Sequence, residues 1–275
     1  MTYSDIVNHL QDVGIEYADA DAALLLEHFC GVSRAHLFSF PEEDHTEPAL
    51  LEALARRSKR EPLQYILGEW GFFEETYLVN KSCLIPRSDT EILVEKAISS
   101  LPRGARFADL CTGSGCIAIS TLKHREDCSA LALDLFSETL ETAKKNAIRN
   151  GVESRLTFRL ADILAPNALE GEMPFDAILS NPPYIRTEIV KTLEKELFSE
   201  PQAALDGGED GLCFYRAILE HHAKHLKKNG FILFEIGFDQ KEDIKSLAAL
   251  HDYTCEIGYD LSGNARTAFL TKGNK

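Results

Sequence analysis

Residues 106–135 read RFADLCTGSGCIAISTLKHREDCSALALDL, and this stretch decides the fold. Arg106–Leu110 is a short, largely apolar strand. A glycine-bearing turn follows, and from about Gly115 apolar residues recur at helical spacing. Ser129–Leu135 is a second strand. A strand, a tight turn, a helix and another strand make one βα unit, which sets strands side by side in parallel.

The alternation continues downstream. Ser137 stands where it can cap a long helix ending at Gly151, and Leu156–Leu160 is a third strand. Phe175–Ser180 is a fourth, and Phe231–Ile236 a fifth after a helix at 211–229. Two more strands, near 254–259 and 266–271, complete a Rossmann-like, mostly parallel α/β sheet of seven strands with helices on both faces. Ligands in such sheets lie beyond the carboxyl ends of the strands. Chemistry is therefore expected in the residues just after each strand.

Upstream the pattern is helical. Ser4 can cap a helix through Ile6, Val7, Leu10 and Val13, with Gly14 as its stop. Asp19 or Asp21 opens a second helix that stops at Gly31, and Thr46 caps a third with Pro48 in its first turn. Residues 68–82, GEWGFFEETYLVNKS, mix aromatic and β-branched residues with polar breaks and suggest a hairpin. The expected organisation is a helical domain at 1–66, a hairpin linker at 67–83 and an α/β domain at 84–275. Trp70, Phe72 and Phe73 would form an apolar bridge between the two domains.

The 275 residues carry 29 basic and 44 acidic side chains, a net charge of −15. Residues 1–50 hold ten acids against one base, Arg34. A protein drawing its affinity from nucleic-acid phosphates would carry a basic face instead. The single basic run, Arg56-Arg57-Ser58-Lys59-Arg60, reads as a solvated helix face. An acidic N-terminal region suggests a basic partner, though solubility alone would also explain it. Seven cysteines without a CxxC pair fit reduced thiols in the cytoplasm, and no segment has the ~20 apolar residues a membrane span needs. The N-terminus also lacks the apolar core of a signal peptide. Nine histidines show no metal-ligand spacing, and His221, His222 and His225 are expected on the exposed side of a helix.

Two strand ends carry the candidate chemistry. After the first comes Asp109-Leu110-Cys111-Thr112-Gly113-Ser114-Gly115, whose glycines let a ligand approach the backbone. Any tight βα turn wants such glycines. Asp134 ends the second strand, 25 residues after Asp109, where an acid can hold both hydroxyls of a ribose. The pair points to a nucleoside-bearing cofactor without separating NAD from S-adenosylmethionine. The fourth strand runs directly into Asn181-Pro182-Pro183-Tyr184. The Asn181 side-chain oxygen and the Pro182 carbonyl can together accept the two N–H bonds of an –NH₂ group. The prolines stiffen the loop, and Tyr184 offers a face for a flat group. A nitrogen so held keeps its out-of-plane face free for in-line attack on a methyl group.

DLCTGSG (109–115), LALD (131–134) and SNPPYI (180–185) resemble the motifs of S-adenosylmethionine-dependent amino-methyltransferases. EPLQYILGEWGFF (61–73), LIPRSDTEILVE (84–95) and FSEPQAALDGGEDGL (198–212) are similar to segments of the HemK-type release factor glutamine methyltransferases. With the helical N-terminal region, the resemblance covers nearly the whole chain. It implies methylation of a release-factor glutamine, with S-adenosylmethionine as methyl donor and S-adenosylhomocysteine as product. It also implies that Asp109, Cys111, Thr112, Gly113, Ser114, Gly115 and Asp134 serve the cofactor, and that Ile163 after Asp162 packs by the adenine. Asn181, Pro182, Pro183 and Tyr184 would hold the substrate amide, with Asn181 also beside the cofactor. No metal, membrane or direct nucleic-acid contact is implied. Cys111 departs from the family by standing where many methyltransferases have glycine, and Ser88 by replacing the proline of IPRPDT. Arg87, in the same loop, could organise the site or form an ordinary salt bridge. DNA adenine and ribosomal RNA guanine methyltransferases share related clamps, but the acidic charge opposes both. A non-catalytic nucleotide-binding module would not need Asn181–Tyr184.

Overall fold

The computed structural model describes residues 1–193 and 196–273, which form two compact units. The first comprises Met1–Glu69 and the described part of 194–199. Its helices are α1 (Tyr3–Asp12), α2 (Ala18–Cys30), α3 (Arg34–Ser39), α4 (Pro48–Arg57) and α5 (Leu63–Leu67). Ile6, Leu10, Leu25, Leu26, Leu50 and Leu54 share its buried core.

The helix starts differ from those read in the sequence. Thr2, not Ser4, caps α1: its side chain accepts from Asp5 N while Asp5 accepts from Thr2 N, a reciprocal box that Ser4 lacks. No side chain caps α2 or α4, and Glu47 rather than Thr46 precedes Pro48. Two short helices, α3 and α5, lie where no helix was expected because one or two turns leave too few residues to show a period. The basic run is not a solvated face throughout. Arg57 is buried, donating to Asp21 Oδ2 at 2.7 Å and to the Glu61 carbonyl at 3.1 Å. Asp21 is itself buried on α2, so each charge requires the other.

The second unit holds the remaining described residues, from Trp70 to Leu193 and from Glu200 onward. A hairpin of β1 (Glu69–Phe72) and β2 (Glu75–Leu78) forms a separate two-stranded sheet. After α6 (Glu91–Ser100) come β3 (Arg106–Leu110), α7 (Cys116–His124), β4 (Ser129–Asp134), α8 (Ser137–Arg149) and β5 (Leu156–Leu160). Then follow β6 (Phe175–Ser180), α9 (Thr187–Val190), α10 (Cys213–Ala217), β7 (Leu226–Glu235), α11 (Lys241–Leu250), β8 (Tyr253–Tyr259) and β9 (Ala265–Lys272).

The seven strands lie in the order β5-β4-β3-β6-β7-β9-β8. All neighbours up to β7 are parallel, whereas β9 runs antiparallel between β7 and β8. This is the expected Rossmann-like sheet. One apolar cluster packs around Phe107, Ile119, Ala132 and Leu179; another gathers around Leu110, Leu133, Phe175 and Phe234. Strand order reverses between β3 and β6, and the two strand ends are tied there, Ser180 Oγ donating to the Leu110 carbonyl at 2.6 Å.

Two local expectations are corrected. Ser137 does not cap α8; the preceding turn is held instead by Asp134, whose Oδ1 accepts from Phe136 N at 3.2 Å. The helix expected at 211–229 is short and irregular, and β7 begins at Leu226. Its irregularity includes one wide turn over Ile218–His222, which brings His222 inside rather than onto an exposed face.

Candidate active site

A cleft of about 1020 Å³, its open mouth included, lies at the carboxyl ends of β3, β4, β5 and β6. Of the residues the resemblance assigns to cofactor or substrate, nine line it: Cys111, Thr112, Gly113, Ser114, Asp134, Asp162, Ile163, Asn181 and Pro183. Asp109, Gly115, Pro182 and Tyr184 do not.

The turn after β3 is held from behind. Asp109 is fully buried, and its Oδ2 accepts from Thr112 Oγ1 at 2.6 Å and Ala118 N at 3.3 Å. Asp109 therefore braces the turn and the start of α7. Burial pushes its carboxyl up to about 7, against the opposing pull of these two hydrogen bonds. Gly115 sits at φ +85°, which side chains rarely adopt, and a Cβ there would crowd Ile119 Cδ1 at 2.8 Å and Ala143 Cβ at 3.3 Å. Gly113 (φ +58°) is the reverse case: it lines the cleft, and a Cβ there would meet nothing within 4 Å. That open face is where a ligand can reach backbone. Cys111, also left-handed at φ +60°, carries a side chain in a conformation that costs roughly 1–2 kcal/mol.

Asp134 supports the same turn, Oδ2 accepting from Gly113 N at 3.0 Å. Each carboxylate oxygen has a further lone pair, so both can still accept from ribose hydroxyls. Burial raises its pKa, while bonds from Gly113, Phe136 and Leu135 oppose the rise. Asp162 is exposed and holds Leu164 N at 2.8 Å, whereas Ile163 is buried at the cleft wall. The Ile163 carbonyl accepts from His222 Nε2 at 2.7 Å. Burial depresses the pKa of His222, so the ring is a neutral pin for this wall.

The loop after β6 is braced from distant segments. Asn181 Nδ2 donates to Thr90 Oγ1 at 3.2 Å. Ile185 pairs with the segment at 205–207, its N–H donating to the Leu205 carbonyl at 2.9 Å and its carbonyl accepting from Gly207 N at 2.8 Å. The glycines of LDGGEDG pack directly on the clamp backbone. A Cβ on Gly207 would lie 2.7 Å from Tyr184 Cα, and one on Gly211 (φ +77°) 2.4 Å from the Tyr184 carbonyl oxygen. Gln240 Nε2 donates to the Tyr184 and Gly211 carbonyls at 3.0 and 3.1 Å. The Tyr184 ring packs against the second core cluster, and its hydroxyl donates to Glu235 Oε1 at 3.3 Å.

Arg87 lines the cleft and pairs with buried Glu200, which also accepts from Ile85 N at 3.0 Å. The salt-bridge alternative thus describes Arg87, and the bridge joins two walls of the cleft. Thr90, Glu235, Gln240 and His222 were not found by reading the sequence for site residues. Among the described residues no group of three or more His, Cys, Asp or Glu could hold a metal, and no helix is long and apolar enough to cross a membrane.

Comparison with known proteins identifies the family. Residues 3–68 match the family description "PrmC N-terminal domain", and residues 88–228 match "Methyltransferase small domain". A release factor glutamine methyltransferase from Agrobacterium fabrum is 39% identical over 94% of this chain and 91% of its own length. One from Caulobacter vibrioides is 36% identical over 87% of this chain and 84% of its own. The chain belongs to the release factor glutamine methyltransferase family. A solved methyltransferase from Pyrococcus furiosus, 20% identical, covers 71% of this chain and 87% of its own at a TM-score of 0.53. At that identity it supports the fold alone. The cleft, with the turn at 109–115 on one side and the loop at 181–184 on the other, is the candidate active site of this family member.

Proposed function

We propose that the protein transfers a methyl group from S-adenosylmethionine to the side-chain N5 nitrogen of a glutamine in a peptide chain release factor, within the cytoplasm. The observation that carries this reading is Asn181, which lines the cleft at the end of β6 with the donor end of its amide held by Thr90. Its Oδ1 is thereby the end available to accept an N–H from a substrate amide. The cofactor side fits an adenosyl group: Gly113 leaves open space, Asp134 keeps lone pairs free for ribose hydroxyls, and buried Ile163 supplies an apolar wall.

When bound, S-adenosylmethionine supplies a sulfonium methyl as the electrophile. Asn181 Oδ1 and the Pro182 carbonyl accept the two N–H bonds of the target amide. An amide nitrogen is a weak nucleophile because its lone pair is shared with the carbonyl. Two acceptors raise its electron density, and their hold strengthens as positive charge develops there. Stiff prolines fix the direction of attack, the main contribution the chain makes. Bound there, S-adenosylmethionine would give up its methyl to the nitrogen with the S–C electron pair staying on sulfur, and one amide proton would pass to solvent. S-adenosylhomocysteine is the other product.

The test is methyl transfer from labelled S-adenosylmethionine to a purified release factor, DNA and ribosomal subunits, each offered separately. Label in the release factor, located by mass spectrometry to the glutamine of its Gly-Gly-Gln peptide, is the expected result. Label confined to DNA or ribosomal RNA would sink it in favour of a nucleic-acid amino-methyltransferase. Asn181→Ala should lower kcat by roughly 10²–10³ while leaving cofactor affinity in place. A wild-type rate in that variant would remove Asn181 from the clamp.

A further inference from the structure

Arg87 is the one basic side chain among the described residues that line the cleft. Its Nη2 donates to Glu200 Oε1, and the Glu200 side chain is only 2% exposed. The other oxygen of that carboxylate accepts from Ile85 N at 3.0 Å. Both oxygens of Glu200 are therefore engaged by the wall at 85–87. Arg87 is the open partner of the pair, with 38% of its side chain exposed. A guanidinium carries a rigid fork of N–H donors and no acceptor. The bridge takes the Nη2 end, and no second side-chain hydrogen bond of Arg87 is formed among the described residues.

Its place along the chain sets what those donors can meet. Thr90 N donates to the Arg87 carbonyl at 3.1 Å, closing a single 3₁₀ turn over Ser88–Thr90. Thr90 is buried, and its Oγ1 accepts from Asn181 Nδ2 at 3.2 Å. One such turn advances about 6 Å. That step from clamp to rim is close to the reach of a glutamine side chain, roughly 5 Å from amide nitrogen to Cα. A glutamine whose amide enters the clamp leaves its main chain at the level of Arg87. Ile85, Pro86, Pro201, Ala203 and Ala204, the neighbours of the bridge in sequence, also line the cleft, and their side chains offer no hydrogen bond.

We propose that Arg87 is a substrate-binding residue that donates to a main-chain carbonyl beside the target glutamine, with Glu200 as the anchor that aims its guanidinium. This rests on the reading that a glutamine amide enters the clamp at Asn181. A carbonyl suits the site better than an acidic group does. The buried Glu200 charge already balances the guanidinium, so little net charge is left to attract an anion. A peptide lying against this wall gives up water on its carbonyls, and the free N–H groups of Arg87 replace it. The contact forms on docking and is unchanged as the methyl moves, so it belongs in KM rather than in kcat.

The experiment measures kcat and KM for transfer from labelled S-adenosylmethionine to a purified release factor and to a capped Gly-Gly-Gln peptide, whose acceptors are all carbonyls. Arg87→Met should raise KM about tenfold for both acceptors, with kcat and the cofactor KM within about twofold of wild type. Glu200 would then be an unpaired buried charge, so the melting temperature of this variant should fall as well. Combining Arg87→Met with Glu200→Gln removes that charge and keeps an acceptor for Ile85 N. The double variant should melt close to the wild type while its KM stays raised about tenfold. Recovery of KM together with melting would overturn the inference and leave Arg87 as a structural bridge. A rise in the cofactor KM alone would overturn it too, by assigning the guanidinium to the carboxylate of S-adenosylmethionine. So would a rise confined to the release factor, which puts the contact away from the glutamine main chain. A wild-type enzyme that labels neither acceptor strikes the methyl-transfer reading itself and this inference with it, so the two failures are distinguishable.

Discussion

The cofactor-side turn at 109–115 and the clamp at 181–184 follow neighbouring strands, yet they are held in different ways. The turn is braced from its own βα units. Thr112 N donates to the Leu133 carbonyl, Gly113 N to Asp134, Thr112 Oγ1 to Asp109, and Asn146 on α8 reaches the Ser114 carbonyl. The clamp draws on partners far along the chain: Thr90 lies 91 residues away from Asn181, and Gln240 and Glu235 lie 56 and 51 from Tyr184. A turn built from adjacent segments is complete once β3 to α8 are folded. The clamp is complete only when four separate parts of the unit have closed on it. Cofactor binding and methyl transfer should accordingly fail under different substitutions.

Gly211→Ala is the largest expected break. Its Cβ would lie 2.4 Å from the Tyr184 carbonyl oxygen and 2.8 Å from Gln240 Nε2, at a φ of +77° that side chains rarely adopt. The clamp backbone must shift, and a displacement of an ångström is enough to cost about 10² in rate. Single-turnover transfer at saturating cofactor should fall by about 10²–10³. Calorimetry should find cofactor affinity within a fewfold of wild type. An equal loss in both measurements would show that the two regions are one structural unit.

Asp134→Ala tests the opposite side with a smaller effect. Charge-assisted hydrogen bonds to ribose hydroxyls are worth on the order of 1.5–3 kcal/mol each, so affinity should weaken by at least about tenfold. Transfer from the saturated enzyme should remain within a fewfold of wild type, because no clamp contact is touched. Unchanged affinity in the folded variant would leave Asp134 as a support for Gly113 alone.

The same contrast explains what could be read from the sequence. The strands, the turn at 109–115 and Asp134 were legible because their partners are nearby and the spacing between strand ends is regular. Asn181 was legible because its three followers are unusual after a strand. Thr90, Glu235 and Gln240 carry no local signal: a threonine before a helix, an acid ending a strand and a glutamine before α11 are each ordinary. Only the closing of the sheet brings them to Asn181 and Tyr184. The glycines of 207–211 were quoted as a family motif, but their need for backbone-on-backbone packing depends on a neighbour more than 20 residues away. His222 was misplaced for the same kind of reason, since a wide turn changes which helical positions face inward.

Each region also contains one fully buried carboxyl, Asp109 behind the turn and Glu235 behind the clamp, both pushed up to about 7 by burial. Their signs are alike for stability. An acid whose folded pKa is raised binds its proton more tightly when folded, so each makes the protein less stable as pH climbs from the unfolded carboxylate range through about 7. Asp109→Asn removes one of these contributions. Between pH 5 and 8 the stability gap between wild type and this variant should change by about 2 kcal/mol, with the wild type relatively better at the acidic end. In a unit of this size that is several degrees of melting temperature. The asparagine keeps an oxygen to accept from Thr112 and Ala118, so the turn retains its two braces. Methyl transfer at neutral pH should stay within a fewfold of wild type, because the turn keeps both braces. A variant whose melting temperature keeps the wild-type pH dependence would show that Asp109 does not titrate in this range.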